Sequence, residues 1–110
     1  MTTIDLFAGC GGLSLGFKMA GFTSILASDI DENCKLTYTS NFPDTPFLCQ
    51  DITTIKKEQI DQILQNKTVD VIIGGPPCQG FSLANKRRNA IEDDPRNKLF
   101  YEYVKFITWY

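Results

Sequence analysis

Four short apolar segments of strand length, each followed by residues with helical spacing or a glycine- and proline-rich turn, set the frame for this chain. Thr3–Phe7, Phe22–Ser28, Phe47–Gln50 and Val69–Ile73 read as strands. Leu13–Ala20 reads as a helix with Leu13, Phe17 and Ala20 on one face and Gly21 as its stop signal. Asp31–Asn41 suits a second helix, with Pro43 beyond it. Ile55–Leu64 suits a third, with Ile60, Ile63 and Leu64 as its buried stripe. Gly74–Asn97 reads as a long loop, and helical spacing resumes through Leu99, Tyr103, Phe106, Ile107 and Tyr110. Strands alternating with helices predict an α/β fold: a parallel sheet joined by right-handed crossovers.

The chain has 110 residues, about one small domain. Its last helix meets no glycine or proline stop and carries aromatic and apolar residues to its end. The expectation is that residues 1–110 form one part of a larger domain; the alternative is a small complete domain that buries this helix. The formal net charge is −2, so no chain-wide field draws in nucleic acid, and any such contact must be local. The four cysteines form no C-x-x-C pair and there is no histidine, which predicts no metal site and excludes histidine as a general base within these residues. Neither a signal-peptide pattern nor a membrane-length apolar run is present in the sequence, so a cytoplasmic setting with free thiols is expected.

Ligands of open parallel sheets bind beyond the carboxyl ends of the strands. Here the first such end is Phe7-Ala8-Gly9-Cys10-Gly11-Gly12-Leu13, a turn whose glycines let backbone approach a ligand. Its bunched glycines do not follow the G-x-G-x-x-G spacing of dinucleotide folds. The second end is Asp29, about twenty residues on, where a ribose diol is commonly held. Asp29 can instead cap the helix that follows, a role Asp31 can also fill. The third end is Asp51, suited to an exocyclic amine or to capping Ile52-Thr53-Thr54. With no phosphate-gripping lysine motif, the three ends suit a nucleoside-type cofactor such as S-adenosylmethionine. Leu99 and Phe100 either pack on that cofactor or belong to the core.

Beyond the fourth strand comes Gly74-Gly75-Pro76-Pro77-Cys78-Gln79-Gly80-Phe81-Ser82. The prolines fix φ and remove two backbone donors, which makes a stiff mounting for a single thiol. Asn85-Lys86-Arg87-Arg88-Asn89 follows, three cations that suit phosphate contact or a solvated loop.

Asp5-Leu6-Phe7-Ala8-Gly9-Cys10-Gly11-Gly12 and Gly75-Pro76-Pro77-Cys78-Gln79-Gly80-Phe81-Ser82 resemble the first and catalytic motifs of the cytosine-C5 DNA methyltransferases. Ser28-Asp29-Ile30-Asp31, Gln50-Asp51-Ile52 and Asp94-Pro95-Arg96-Asn97-Lys98-Leu99-Phe100 stand in the order of three further motifs of that family. The resemblance implies a Rossmann-like S-adenosylmethionine-dependent methyltransferase fold, incomplete here, with residues 1–110 as the N-terminal part of the catalytic domain. It implies that Phe7, Gly9, Gly11, Gly12, Leu13, Asp29, Ile30, Asp51, Ile52 and Leu99 line the cofactor site. Asp29 would hold the ribose hydroxyls, Ile30 the adenine face and Asp51 the adenine amine. Cys78 would be the nucleophile, attacking C6 of an extruded cytosine. Pro77 and Gln79 would shape the pocket for the extruded base, Ser82 would contact the nucleotide's phosphate, and Lys86, Arg87 and Arg88 would meet the DNA.

The implied activity is methyl transfer to C5 of cytosine in double-stranded DNA, as the methylase of a restriction-modification system. The implied partners are that DNA, the remaining part of the enzyme and a cognate restriction endonuclease. The family's later Glu-Asn-Val motif, arginine motif and target-recognition region have no counterpart in these residues, and Glu92, Asp93, Asp94 and Glu102 lack the context of its ring-contacting glutamate. These residues alone are therefore expected not to methylate DNA. A tRNA cytosine-C5 methyltransferase shares the cysteine chemistry, but Gly80-Phe81-Ser82 is DNA-like. A non-catalytic or split-enzyme subunit is a third reading. A nucleotide-dependent oxidoreductase fits the fold but lacks the glycine spacing and any use for Cys78.

Overall fold

The computed structural model describes residues 1–75 and 97–110. They belong to two compact units, Met1–Gly75 and Pro76–Tyr110. The first unit runs β1 (Thr2–Leu6), α1 (Gly12–Met19), β2 (Thr23–Asp29), α2 (Glu32–Asn41), β3 (Phe47–Cys49), a 3-10 turn (Ile52–Thr54), α3 (Lys57–Leu64) and β4 (Val71–Gly74). The second contains α4 (Asn97–Trp109). In α4 the Phe106 and Trp109 rings lie 4.9 Å apart, Lys105 sits 5.0 Å over Trp109, and Lys105 also pairs with Glu102.

The four expected strands form one parallel sheet in the order β3-β2-β1-β4. Their limits shift slightly from the sequence reading, for local reasons. β1 ends at Leu6 because Phe7 takes a left-handed φ of 52°. β4 starts at Val71, just after Asp70, whose carboxylate accepts the Thr2 N–H at 2.7 Å. α3 starts at Lys57 rather than Ile55, because Ile55 and Lys56 are extended and Ile55 is buried.

Chain direction across the sheet places the helices. From β1 through β2 to β3 the path moves one way, and right-handed crossovers put α1 and α2 on the same face. The return to β4 puts α3 on the other. On α3, Ile60 and Leu64 are buried as expected, whereas Ile63 is only half-buried. Alternation along β1 sends Ile4 and Leu6 to one face and Thr3 and Asp5 to the opposite one, and all four are fully buried.

The face under α1 and α2 departs from the expected apolar stripe. Leu13 and Ala20 are exposed and Phe17 is half-buried; the residue of α1 that turns inward is Ser14. It does so because buried Asp5 requires a donor. Ser14 Oγ lies 2.6 Å from Asp5 Oδ2 and 2.7 Å from the Tyr38 hydroxyl, which lies 3.1 Å from Ser24 Oγ. An ionised carboxylate only accepts, so the direction of the whole chain is set: Ser14 donates to Asp5, Tyr38 to Ser14 and Ser24 to Tyr38. Around this chain Ala8, Ala27, Tyr38 and Phe42 pack with Phe47 against them.

Burial pushes the Asp5 carboxyl up to about 6, against the pull of its Ser14 hydrogen bonds. The folded chain therefore keeps this proton at pH values where the unfolded chain has lost it. Taken alone, the group makes the fold most stable below about pH 4, less so as pH rises to about 6, and level above that, a span of roughly 3 kcal/mol. Urea unfolding at pH 4 and pH 7 should show a smaller pH dependence in Asp5→Asn than in the parent chain. Ser14→Ala should lower stability by about 1–3 kcal/mol by unpairing buried Asp5 and leaving the Tyr38 hydroxyl with Ser24 as its one remaining partner. In the same assay Ser24→Ala, at the outer end of the chain of hydroxyls, should have the smaller effect.

Candidate functional site

Strand order 3-2-1-4 reverses direction between β1 and β4, and such a reversal opens a crevice at the carboxyl ends of the strands. Leu6 of β1 pairs with Gly74 of β4, so the glycine turn and the segment beginning at Gly75 leave the sheet at the same level, side by side.

The turn is held from three directions. Ala8 N–H donates to Ser28 O of β2 at 2.9 Å, Gly11 N–H to Ala8 O at 3.1 Å, and Gly9 N–H to Asp29 Oδ2 at 2.9 Å. Phe7, Gly9 and Gly11 all have positive φ. At Gly11 the reason for glycine is close packing as well as φ. A Cβ there would stand 2.8 Å from Phe42 Cε2 and 3.0 Å from Tyr38 Cδ2. Gly9 and Gly12, by contrast, have nothing within 4 Å of a built Cβ. Gly11 thus seats the turn on α2, while Gly9 and Gly12 present bare backbone to open space. The N-terminus of α1 carries no side-chain cap, leaving its first N–H groups to other acceptors.

Asp29 ends β2 half-buried. Its Oδ1 accepts the Asp31 N–H at 3.0 Å while Oδ2 holds Gly9. It does not cap α2; Asp31 does, accepting from Asn33 N–H at 2.8 Å and Cys34 N–H at 3.4 Å. Ile30 beside it is 66% exposed, a large apolar side chain standing free at the strand ends.

Asp51 is exposed and accepts from Thr53 N–H at 2.9 Å and Thr53 Oγ1 at 2.8 Å. These bonds cap the 3-10 turn and hold the carboxyl below its usual range. Capping and an outward-facing acceptor are thus compatible at Asp51. Ile52 is buried, so its side chain belongs to the core, and Leu13 is exposed. Leu99 lies in α4 of the second unit. Pro77, Cys78, Gln79, Ser82, Lys86, Arg87 and Arg88 lie outside the described residues.

Phe7, Gly9, Gly12, Asp29 and Ile30 are thereby brought to one end of the sheet, with Asp51 following β3, the next strand in the sheet order. Ser14 and Tyr38, which brace the turn from beneath, are absent from the sequence reading. A lone acid in the middle of an apolar strand was the signal that such partners exist. A half-open cavity of about 450 Å³ lies at the opposite end of β2, lined by Lys18, Phe22, Thr23, Phe42 and Lys67 among others, and contains none of the residues proposed for the site. Among the described residues no group of three or more His, Cys, Asp or Glu is placed to hold a metal ion, and no helix is long and apolar enough to cross a membrane.

The sequence profile of C-5 cytosine-specific DNA methylases matches residues 1–110. The Type II methyltransferase M1.HphI of Haemophilus parahaemolyticus is 49% identical over 107 residues, which are 97% of this chain and 29% of that protein. The Type II methyltransferase M.DdeI of Desulfomicrobium norvegicum is 49% identical over 110 residues, all of this chain and 25% of that protein. This chain therefore spans between a quarter and a third of the length of these two relatives. Among solved structures, a DNA modification methyltransferase encoded within an E. coli prophage superposes with a TM-score of 0.76 at 40% identity, over 94% of this chain and 27% of that one. The Dnmt2 methyltransferase of S. pombe, 18% identical, shares the fold with a TM-score of 0.63 over 96% of this chain and 28% of that one. The parallel α/β sheet, its glycine turn and the profile match over every residue place this chain in the C-5 cytosine-specific DNA methylase family.

Proposed function

We propose that this chain supplies the cofactor-binding and nucleophile-bearing part of an enzyme that methylates C5 of cytosine in double-stranded DNA, working in the cytoplasm as the methylase of a restriction-modification system. The observation that carries the reading is the pairing of Leu6 with Gly74. It sets the glycine turn beside Gly74, the end of the strand that precedes the Pro-Pro-Cys motif in the sequence. Cys78 follows Gly74 by four residues, which extend no further than about 14 Å.

The residues at the crevice fit S-adenosylmethionine. Gly9 and Gly12 leave room for its methionine part against bare backbone. Asp29 has lone pairs left for a ribose diol after binding two backbone N–H groups. Exposed Ile30 offers an apolar face to adenine and Asp51 an acceptor for its amine. Phe7, Gly11, Leu13 and Ile52 complete the turn and its surroundings, and the family resemblance adds Leu99 to the residues that serve the cofactor. When bound, the cofactor supplies an electrophilic methyl group on a sulfonium.

The work of the chain itself centres on Cys78. C5 of cytosine is a poor nucleophile. Addition of the Cys78 thiolate to C6 turns the ring into an enamine-like species with electron density at C5. Loss of the C5 proton and breaking of the C6–S bond then restore the aromatic base and return the thiolate. The base must leave the duplex stack to reach the sulfur; Pro77 and Gln79 shape the pocket that receives it, and Ser82 contacts the nucleotide's phosphate. Lys86, Arg87 and Arg88 neutralise backbone phosphates.

The test uses the polypeptide that carries these residues together with the rest of the catalytic machinery. Methyl incorporation into duplex DNA and into tRNA is measured side by side; transfer to tRNA alone would replace this reading with the RNA one. Cys78→Ser is expected to abolish transfer while leaving cofactor affinity within a few-fold, and unimpaired turnover would remove Cys78 from its role. Asp29→Ala is expected to weaken S-adenosylmethionine binding by about 1–3 kcal/mol, the scale of a lost buried polar contact. Calorimetry showing no change would leave Asp29 as an anchor of the glycine turn only.

A further inference from the structure

We propose that Cys10 and Cys34 form a modification site, a dithiol that exchange with a small-molecule disulfide closes into a disulfide fastening the glycine turn to α2. The two sulfurs lie 3.9 Å apart, within a hydrogen bond of each other. Both cysteines are free; Cys10 is exposed and Cys34 half-buried. The proposal is independent of the proposed activity, since it rests on the placement of two sulfur atoms.

Their proximity follows from how α2 meets the turn. Cys34, Tyr38 and Phe42 recur at intervals of four, so they share one face of α2 and its C-terminal end. Tyr38 and Phe42 are the rings that contact Gly11. One helical turn before Tyr38, the same face presents Cys34 to Cys10, the residue before Gly11. The neighbouring backbone is pinned on both sides. Gly9 is bonded to Asp29, and the N–H of Cys34 faces its cap Asp31. A disulfide needs a sulfur separation of about 2.05 Å. Rotation of the two side chains about Cα–Cβ supplies the difference, and the positive-φ glycines flanking Cys10 give the turn room to adjust.

The order of events follows from the two environments. Cys10 is the accessible thiol, so its thiolate attacks one sulfur of the small disulfide, forming a mixed disulfide and releasing one small thiolate. Partial burial, then the hydrogen bond with Cys10 and the charge of Asp31, push the Cys34 thiol up to about 11. Cys34 is thus the slower, resolving partner. On losing its proton it attacks the Cys10 sulfur, makes the Cys10–Cys34 bond and expels the second small thiolate. The two protein thiols are oxidised by two electrons and the small disulfide is reduced to two thiols.

Cys49 takes no part in this geometry, its thiol donating to Ile30 O at 3.6 Å.

The test treats the full chain with oxidised glutathione, blocks the remaining thiols and maps the peptides without reduction. The expected result is a Cys10–Cys34 link, reversed by dithiothreitol, with Cys49 recovered as a blocked thiol and Cys78 outside any protein cross-link. In Cys34→Ser the expected product is a glutathione adduct retained on Cys10, with no internal link. Thermal unfolding of the oxidised parent should show a raised midpoint, because closing this loop restrains the unfolded chain. Cross-links spread over Cys49 or Cys78, or full recovery of Cys10 and Cys34 as blocked thiols, would overturn the proposal. So would a lowered midpoint, which would mean that closure distorts the turn.

Discussion

A carboxylate buried in the middle of a sheet face is the constraint around which this unit is arranged. Asp5 is fully buried between two apolar neighbours of β1, and only Oδ2 has a hydrogen-bond partner. Leaving both oxygens unpaired would cost far more than one hydrogen bond is worth. Ser14 therefore has to face the sheet, which fixes the rotation of α1. Tyr38 has to reach Ser14, which fixes the rotation of α2. Once α2 is so placed, its Tyr38 and Phe42 rings fill the space beside residue 11, and glycine is what fits there. The shape of the turn at the strand ends is thus a downstream consequence of one polar group beneath it.

The strand order then decides what that turn can be used for. With β1 between β2 and β4, the turn after β1 has Asp29 on one side and Gly75 on the other. Side chains from successive βα connections converge at one edge without any loop having to travel. A parallel sheet of different order would have kept every local motif and separated the acids from the segment that leads to Cys78.

Much of this was legible in the sequence, and the parts that were not have a common cause. The four strands stood out because short runs rich in Ile, Val and Phe are punctuated by glycine and aspartate at their carboxyl ends. The sequence leaves the cap of α2 open between Asp29 and Asp31, and capping of Ile52–Thr54 as one of two roles for Asp51; in the structure Asp31 and Asp51 cap, their oxygens standing two or three residues before free N–H groups. The inward face of α1 was misjudged because hydrophobic spacing assumes an apolar surface opposite. Leu13, Phe17 and Ala20 make a respectable stripe, yet the surface they would meet holds Asp5. Likewise the side chain of Ile52 is buried in the core, as is that of Ile55. Tertiary partners, not local pattern, chose the face in both cases.

Asp29 shows how one residue can serve the fold and a ligand together. A carboxylate offers two oxygens with about four lone-pair directions. Two are spent on the Gly9 and Asp31 N–H groups; both fix the carboxylate in place, and the first ties β2 to the turn after β1. The remaining directions are left on a group that is only half-buried, beside a Gly9 with no side chain. An asparagine could keep only one of these bonds as an acceptor, since its amide nitrogen would face an N–H across the other. The turn and the acid therefore depend on each other. The N–H of Gly9 orients the carboxylate that a ribose would need, and the carboxylate holds Gly9 in the left-handed conformation that bares its backbone. Under the proposed function, the pocket for the cofactor is preorganised by the Gly9–Asp29 hydrogen bond that ties the turn after β1 to the end of β2, with the Asp31 N–H steadying the other oxygen.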